Sequence, residues 1–260
     1  MGIEVNKNWW KDIFDEIYLQ TDARSVCNED LTIREVDFLE KTLKLDKASP
    51  ILDLCGGQGR HALELSRRGF SKVTTLDYSE YLLHLGKHQA RKENLNTLFI
   101  RGDARRMGLC NQIFGVIIIM GSSFGYFVQD KENQKILSEA FRILIPTGQL
   151  ILDIPNPEYV LHKFKPFTRH LVRDDIEVSR TRELGPDIIY CREKVSSASK
   201  GVIREKTYCT RLYSPEKISN LLRHAGYSNI SCKRDFMWRE SEGDYGTMTN
   251  RMIVKARRLE

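Results

Sequence analysis

The 260-residue sequence lacks the features that mark several classes of protein. Its six cysteines form no C-x-x-C motif, so no metal or redox site of that kind is expected. A disulfide scaffold is not expected at this length and cysteine content. The longest uncharged apolar run, Ile113–Met120, is far shorter than the ~20 residues that a membrane span needs. The first residues show no apolar signal-peptide region, and we expect a cytoplasmic protein without membrane contact.

Composition and charge exclude further classes. The chain has 17 glycines, 7 prolines and 29% charged residues, which argues against disordered, collagen-like and low-complexity proteins. The net charge of +6 is distributed unevenly. Residues 1–154 carry 20 basic and 21 acidic side chains, residues 155–213 carry 12 and 8, and residues 214–260 carry 9 and 6. All of the basic excess therefore follows residue 154.

Buried-strand patterns alternate with helical patterns from residue 50 onward, and helical stretches of roughly 10–15 residues separate most of them. The five predicted strands are Ile51–Cys55, Val73–Leu76, Leu98–Ile100, Phe114–Met120 and Leu150–Ile154. Two more are predicted near Ile230–Cys232 and Met252–Lys255. This order predicts an α/β fold, doubly wound around a mostly parallel seven-stranded sheet.

Two helical patterns precede the first strand. Residues 8–19 and 31–45 both place apolar side chains at helical spacing. In the second, Thr32 and Glu35 fit an S/T-x-x-E capping box, which predicts that the helix begins there. The polar stretch 20–30 is expected to form either a lid or a simple loop.

The pattern changes after residue 154. β-leaning runs separated by turn signals predict an antiparallel β insertion over residues 155–213. These runs are Ile176–Val178, Ile188–Cys191, Val202–Ile203 and Tyr208–Tyr213. Because its strand edges must be covered, we expect the insertion to form a substrate lid or a homodimer contact. Residues 1–154 would then be cap helices and a ligand-binding half, and residues 214–260 a closing helix and hairpin.

Glycines and carboxylates follow three successive predicted strands, and the carboxyl ends of parallel strands meet at one sheet edge. The glycines within residues 56–59 allow a ligand to approach the backbone closely. Asp77, 20 residues after Gly57, is placed to accept both hydroxyls of a ribose. Asp103 and the amide of Ala104 suit the edge of an adenine. Together they predict a nucleoside-containing ligand.

A dinucleotide is the main alternative ligand. Residues 57–62 read G-x-G-x-x-A, which also fits a dinucleotide fingerprint. However, this motif lies behind two predicted helices, and Asp53 sits inside the preceding strand. An NAD-dependent oxidoreductase would also need a second substrate domain with its own catalytic residues, and the sequence does not show one.

The sequence resembles the class I S-adenosylmethionine-dependent methyltransferases. The segments that carry the resemblance are ILDLCGGQGRH (51–61), TLDYS (75–79), FIRGDAR (99–105) and FGVIIIMGSSFGYF (114–127). Within that superfamily it looks like the small-molecule type with a β insertion before the last helix. The resemblance implies a Rossmann-like fold, S-adenosylmethionine as cofactor, and in-line methyl transfer to N or O of a small-molecule acceptor.

The resemblance also implies which residues contact the cofactor. These are Tyr18, Arg34, Asp53, Gly56, Gly57, Gly59, Asp77, Tyr78, Asp103, Ala104, Met120 and Gly121. Tyr18 and Arg34 would lie near the cofactor carboxylate. Arg60, where the family has a glycine, would either face that carboxylate or be solvated.

The sequence does not identify a single catalytic residue. Methyl transfer requires a general base only when the acceptor is protonated at the working pH. His61, Tyr126 and Asp153 lie near the expected sheet edge, and His61 and Tyr126 are the candidates that we retain. No metal site is expected.

Two further functions remain as alternatives. A methyltransferase that acts on RNA or another macromolecule would explain the basic excess, but acidic residues are interleaved with it and no RNA-binding module is present. A non-catalytic cofactor-binding protein would bind the cofactor without turnover. For a small-molecule enzyme, the basic excess indicates a mild preference for acidic or phosphorylated acceptors, or merely a basic surface.

Overall fold

The structure is a computed structural model that describes residues 2–173, 175–236 and 249–259. Its helices are α1 (Glu16–Thr21), α2 (Ala23–Val26), α3 (Glu29–Leu43), α4 (Arg60–Arg67), α5 (Glu80–Lys92), α6 (Asp130–Ile143), α7 (Pro157–His162) and α8 (Pro215–His224). Its strands are β1 (Ile51–Leu54), β2 (Val73–Asp77), β3 (Thr97–Arg101), β4 (Phe114–Ile119), β5 (Leu144–Pro155), β6 (Phe167–Arg173), β7 (Ile176–Leu184), β8 (Ile188–Ser197), β9 (Gly201–Arg211), β10 (Ser228–Phe236) and β11 (Arg251–Arg257). None of the described helices has the length and apolar character to cross a membrane.

Seven strands form the larger sheet, in the order β10-β11-β5-β4-β1-β2-β3. Strands β1 to β5 pair in parallel, whereas β11 runs antiparallel to both β5 and β10. The smaller sheet, β6-β7-β8-β9, is entirely antiparallel. The predicted fold class is confirmed: a doubly wound, mostly parallel seven-stranded sheet with an antiparallel insertion.

The central strand β4 explains why the apolar pattern is continuous. Ile117 and Ile119 pack in the cluster that contains α6 and α8 side chains, while Val116 and Ile118 pack in the cluster of α3 and α4. Successive side chains of a strand point to opposite faces. A strand that helices cover on both sides must therefore be apolar at every position.

The N-terminal elements differ from the prediction. Instead of one helix over residues 8–19, a short 3-10 helix (Trp9–Lys11) precedes α1. The stretch 20–30 contains α2 and the start of α3. The predicted capping box at Thr32 is wrong. Asn28 caps α3 instead, and its side-chain oxygen accepts a hydrogen bond from the backbone amide of Leu31 at 2.8 Å. Glu35 is completely buried.

The smaller sheet lies within the predicted insertion, but its strands are longer and more numerous than the sequence pattern predicted. Strand β6 was not predicted, and the separate runs at Val202–Ile203 and Tyr208–Tyr213 belong to the single strand β9, apart from the last two residues. Charged residues interrupt the apolar alternation along β9, which hid its length. Pairing with β8 along nearly the whole strand holds it extended.

We expect Gly86→Ala to destabilise the protein. In a helix interior this change normally stabilises by about 1 kcal/mol. Here, however, a Cβ on Gly86 would lie 2.3 Å from a Phe99 ring carbon and 2.5 Å from the Gln58 carbonyl oxygen. Overpacking of this kind costs about 1–3 kcal/mol, so the free energy of unfolding in urea should fall. The control is Gly115→Ala, whose Cβ would have no neighbour closer than 3.8 Å. A Gly86→Ala protein more stable than wild type would contradict the packing argument.

Candidate active site

Two adjoining cavities lie at the carboxyl edge of the parallel strands. The strand-end cavity, about 110 Å³, lies where β1 to β4 end. The inter-sheet cavity, about 170 Å³, lies between that edge and the smaller sheet. Residues that line both are Phe14, Tyr18, Val26, Gly121 and Tyr126. We call this shared boundary the junction.

The turn after β1 exposes backbone to the strand-end cavity. Gly57 and Gly59 have positive φ angles of 59° and 71°, which favour glycine. A Cβ on Gly56 would lie 2.6 Å from Cγ of Asp53, and one on Gly59 would lie 2.8 Å from the Phe99 ring. Gly56 and Gly57 therefore line the cavity, whereas the buried Asp53 and Gly59 support the turn from behind.

Asp77 faces the same cavity from the end of β2. Its Oδ2 accepts a hydrogen bond from the Gly57 amide, and its Oδ1 accepts one from the Ser79 amide, both at 2.8 Å. Burial raises the pKa of Asp77, and these backbone hydrogen bonds oppose the rise. A carboxylate offers about four acceptor positions, so Asp77 can also accept donors from a ligand diol.

Aromatic rings and a second carboxylate line the other end of the strand-end cavity. The rings of Trp10 and Tyr78 meet edge to face, with centroids 4.7 Å apart. Nη2 of Arg105 donates to Oδ2 of Asp103 at 2.7 Å, and this guanidinium lies over the rings of Trp10 and Phe127. Ring faces and a carboxylate are the groups that can bind a flat heterocycle carrying an amino donor.

Arg60 is the one lysine or arginine among the described residues that line the strand-end cavity. Its side chain is only 13% exposed. Nη1 donates to Oγ1 of Thr32 at 2.9 Å and is also bound to the carboxylate of Glu35. A Cβ on Gly121 would lie 3.6 Å from Nη2. Of the two sequence alternatives for Arg60, the structure favours a buried cation in the cavity wall.

Glu35 is the centre of an ion network that the sequence did not predict. Its carboxylate binds the guanidinium groups of Arg60 and Arg251, and Nε2 of His61 lies 2.9 Å from it. Arg251 also binds Asp153. Burial alone would raise the pKa of Glu35, but the neighbouring guanidinium groups hold it well below its usual range. The network joins α3, α4, β5 and β11.

The three candidate bases have different surroundings. His61 contacts Glu35, and burial lowers its pKa to about 4. Burial raises the pKa of Asp153 to about 6, and Arg251 opposes that rise. Tyr126 lies at the junction, where burial raises the pKa of its phenol well above the usual value. At neutral pH His61 is therefore neutral, and Tyr126 is a hydrogen-bond donor rather than a base.

The structure brings most of the proposed cofactor residues together. Those that line the strand-end cavity are Tyr18, Gly56, Gly57, Asp77, Tyr78, Asp103, Ala104, Met120 and Gly121. Arg34 does not line it and is exposed on α3. The reason is the helical period: α3 buries Glu35 and Val36, which turns the preceding residue to solvent. Arg60, the other cation that we considered for the cofactor carboxylate, does line the cavity.

The inter-sheet cavity has one aromatic and one charged wall. The Trp9 and Phe14 rings lie 5.2 and 5.7 Å from the Tyr126 ring. The charged wall comes from the insertion, and its residues are Arg180, Arg182, Glu193 and Arg204. Sequence analysis did not single out these four, because interleaved charges on β strands usually indicate a solvated face. The described part of the chain contains no cluster of His, Cys, Asp or Glu suited to a metal ion.

These features indicate which ligand the strand-end cavity suits. Glycine backbone, two carboxylates for hydroxyl and amino donors, aromatic walls and one buried arginine fit the parts of S-adenosylmethionine. Residues 51–148 match a family described as a methyltransferase domain. Residues 51–148 are therefore similar to the class I S-adenosylmethionine-dependent methyltransferases, and the lining of the strand-end cavity suits S-adenosylmethionine as the cofactor.

Several methyltransferases are similar to this chain. It is 29% identical over 128 residues to the glycine/sarcosine N-methyltransferase of Aphanothece halophytica, covering 49% of this chain and 48% of the relative. It is 24% identical over 206 residues to that of Parasynechococcus marenigrum, covering 78% and 71%. The fold is similar to an S-adenosylmethionine-bound amino pentose methyltransferase from Micromonospora echinaspora, at 17% identity, 95% and 99% coverage, and a TM-score of 0.65. The chain spans about half the length of the first curated relatives that it matches.

We expect His61 to make stability fall as the pH falls. Its pKa is about 4 in the folded protein against 6.5 ordinarily, so the unfolded chain takes up this proton first. The contribution of His61 to the free energy of unfolding is complete above about pH 6.5 and is lost progressively as the pH falls to about 4. Over this range the free energy of unfolding should fall by about 3 kcal/mol. Urea unfolding of wild type and His61→Gln across this range should show a shallower decline for the variant.

The control for this measurement is His84→Gln, because His84 is exposed on α5. Its pH profile should follow wild type. If His61→Gln also followed wild type, the assignment of a buried neutral imidazole would be wrong.

Proposed function

We propose that the protein transfers a methyl group from S-adenosylmethionine to a nitrogen or oxygen atom of a small metabolite. The observation that carries this proposal is the junction, where the strand-end and inter-sheet cavities share one boundary. A cofactor in the first cavity and an acceptor in the second would meet there. The size of the inter-sheet cavity favours a small acceptor over RNA or another macromolecule.

Each end of the strand-end cavity would bind one part of the cofactor. Asp77 would accept the ribose hydroxyls, and Asp103 with the amide of Ala104 would bind the adenine edge. Arg60 would bind the methionyl carboxylate, since it is the one lysine or arginine among the described lining residues. Tyr78 and Trp10 would pack against the adenine.

The protein would act mainly through positioning. S-adenosylmethionine supplies a methyl group already activated by its sulfonium. Holding the acceptor in line can provide much of the barrier reduction, and the aromatic side chains at the junction exclude water. The hydroxyl of Tyr126 would orient the acceptor as a hydrogen-bond donor.

Nitrogen is the acceptor atom that we favour. An amine can lose its proton to water before it reacts, whereas an alcohol needs a base in the site. The titratable side chains described at the junction are Tyr18 and Tyr126, and burial raises both phenol pKa values. Relatives named glycine/sarcosine N-methyltransferases agree with this choice.

The insertion would serve as the wall of the acceptor site. Strands β7, β8 and β9 contribute side chains to the inter-sheet cavity, which supports the lid alternative from the sequence. The homodimer contact stays a prediction.

We expect S-adenosylmethionine or its demethylated product, S-adenosylhomocysteine, to raise the melting temperature. Asp77→Ala should abolish this rise, because it removes the carboxylate that accepts the ribose hydroxyls. Asp37→Ala is the matched control, since Asp37 is a largely exposed carboxylate on α3. Mass spectrometry of small amines and alcohols incubated with protein and cofactor then tests transfer. A thermal shift with NAD and none with either adenosyl ligand would overturn the proposal.

We expect Arg60 to discriminate between ligands with and without the methionyl carboxylate. Arg60→Met alone would leave the buried carboxylate of Glu35 without one of its cations. The test therefore compares the double variant Glu35→Gln/Arg60→Met with the single variant Glu35→Gln, in which that carboxylate is already neutralised. Calorimetry should show S-adenosylhomocysteine binding weakened by roughly ten- to a hundredfold. Binding of methylthioadenosine, which has no carboxylate, should be unchanged.

Arg34→Met is the control for this comparison, and it should bind S-adenosylhomocysteine and methylthioadenosine as wild type does. An equal loss of affinity for both ligands would mean that Arg60 only supports the fold. A loss of S-adenosylhomocysteine affinity that occurs only in Arg34→Met would support Arg34 as the residue near the cofactor carboxylate.

A further inference from the structure

We propose that the methyl acceptor is an arylamine, an uncharged compound of one aromatic ring that carries the reacting nitrogen. This inference rests on the proposed function, because it treats the inter-sheet cavity as the acceptor site. The ring would bind the aromatic wall of that cavity, which consists of Trp9, Phe14, Tyr126 and Tyr208. Three properties of the cavity support this choice: its aromatic surface, its charge balance and its size.

The aromatic wall forms one continuous surface around Trp9. The Trp9 ring centroid lies 5.2 Å from that of Tyr126 and 5.7 Å from that of Tyr208. The Phe14 ring lies 6.1 Å from Trp9 and stacks on Tyr126 at 5.7 Å. Neighbouring rings are in contact at such distances. A ligand ring would therefore join a cluster that the N-terminal residues, the loop after β4 and β9 have already assembled.

The aromatic wall and its neighbours offer a ligand mainly apolar contact. Nε1 of Trp9 donates to the carbonyl oxygen of Tyr126 at 3.2 Å, and an indole has no second donor. Trp9 can thus offer a ligand only the surface of its ring. Val160, Phe164 and Ile189 also line the cavity and pack in one apolar cluster. Contacts of this kind stabilise a bound ring through burial of its apolar surface.

The charged wall of the cavity is compensated within the protein. Glu193 accepts hydrogen bonds from Arg180 and Arg204, both at 2.7 Å. Burial would raise the pKa of Glu193, but these two guanidinium groups lower it overall, so the carboxylate stays charged. Asp22 also binds Arg180 at 2.9 Å, and Asp15 also binds Arg204 at 2.6 Å. Each of these five groups therefore already contacts an opposite charge.

Arg182, the third arginine of the charged wall, also has partners within the protein. Its Nη1 donates to Oγ1 of Thr168 at 3.1 Å and to the carbonyl oxygen of Lys165 at 3.4 Å. The three arginines equal in number the three carboxylates, which are Glu193 and the two aspartates bound to the wall. The described residues around the cavity thus carry no excess charge for a charged acceptor to neutralise.

A charged acceptor would bind in this cavity at a cost. An anion would have to compete with a carboxylate for its arginine, and a cation would lie in a cavity lined by three guanidinium groups. Burying charge is unfavourable unless opposite charge compensates it. A protonated amine also has no lone pair with which to attack a methyl group. An arylamine avoids both problems, because its nitrogen is uncharged at neutral pH.

The size of the inter-sheet cavity suits a single ring. Its volume is about 170 Å³, and an apolar cavity of ~150 Å³ is enough to bind benzene. The remaining space would accommodate the amino group. Tyr126 lines both cavities, so a ring against the aromatic wall would place its nitrogen near the junction.

The nitrogen of an arylamine needs no base in the site. Its lone pair would form the bond to the methyl carbon while the carbon–sulfur bond breaks, with the electron pair of that bond going to sulfur. The nitrogen, now positively charged, would then release one proton to water. The phenols of Tyr18 and Tyr126, whose pKa values burial raises, therefore do not have to act as bases.

The first test varies the charge on one ring. Benzamide, benzoate and benzylamine are uncharged, anionic and cationic at neutral pH. Each is titrated by calorimetry into the full chain saturated with S-adenosylhomocysteine. We expect benzamide to bind roughly tenfold or more tightly than either charged probe, because a buried charge without a free partner is unfavourable.

The second test varies the ring. Cyclohexanecarboxamide has the head group of benzamide but no aromatic face, and it should bind roughly three- to tenfold more weakly. Tyr208→Leu should reduce this preference by roughly half or more, whereas Tyr208→Phe, which keeps the ring, should retain it. Both variants should bind S-adenosylhomocysteine as wild type does, since Tyr208 lines the inter-sheet cavity and is not among the described residues of the strand-end cavity. Tyr81→Leu is the matched control, because Tyr81 is 38% exposed on α5.

The third test measures transfer itself. Aniline incubated with the protein and S-adenosylmethionine should yield N-methylaniline by mass spectrometry. Benzylamine should yield less product in the same time, because its nitrogen is protonated.

The inference is overturned if benzoate or benzylamine binds as tightly as benzamide, if the two amides bind alike, or if no probe binds at millimolar concentration. It is also overturned if aniline gives no product or less than benzylamine. A ring preference unchanged in Tyr208→Leu would contradict the assigned wall. Failure of the proposed function is a separate result, in which S-adenosylhomocysteine would not bind although the free protein still preferred uncharged rings.

Discussion

The buried carboxylate of Glu35 is the constraint on which the arrangement of the site depends. It is fully buried and charged, since Arg60 and Arg251 outweigh the effect of burial on its pKa. Removing one partner of a buried ion pair typically costs about 3–5 kcal/mol, because the other charge is left uncompensated. The helix α3, the first turn of α4 and the start of β11 are therefore held together by charges that separate only at a large free-energy cost. This requirement also fixes where Arg60 can lie in the cavity wall.

The same network extends to the junction. Arg251 binds Asp153 at the end of β5, and Oδ2 of Asp153 accepts a hydrogen bond from the Gly121 amide at 2.9 Å. Gly121 belongs to both cavities. The loop after β4, which forms part of the boundary between the two cavities, is thus tied to the closing strand β11. The same set of buried charges holds Arg60 through Glu35 and holds the loop through the hydrogen bond between Asp153 and the Gly121 amide.

Sequence analysis predicted the features that depend on neighbours in the chain. The glycine turn, Asp77 and Asp103 follow strands directly, and parallel strands bring their ends to one edge. It did not predict the ion network, because Glu35 and Arg251 are 216 positions apart and no local pattern relates them. The choice between Arg34 and Arg60 depended on which face of α3 is buried. The length of the insertion strands β7 and β8 was missed because their buried positions carry Arg180, Arg182 and Glu193, which removes the apolar alternation that predicts a half-buried strand.

The N-terminal cap, residues 9–26, joins two parts of the molecule whose charges differ. On one side, Oγ of Ser79 donates to the carbonyl oxygen of Phe14 at 2.6 Å, beside the carboxylates of the strand-end cavity. On the other side, Asp15 and Asp22 bind the insertion arginines. A change of side chain on β7 or β8 would alter the inter-sheet cavity without touching the glycine turn or Asp77. The insertion strands therefore line the inter-sheet cavity, the glycine turn lines the strand-end cavity, and the cap is the element that contacts both cavities.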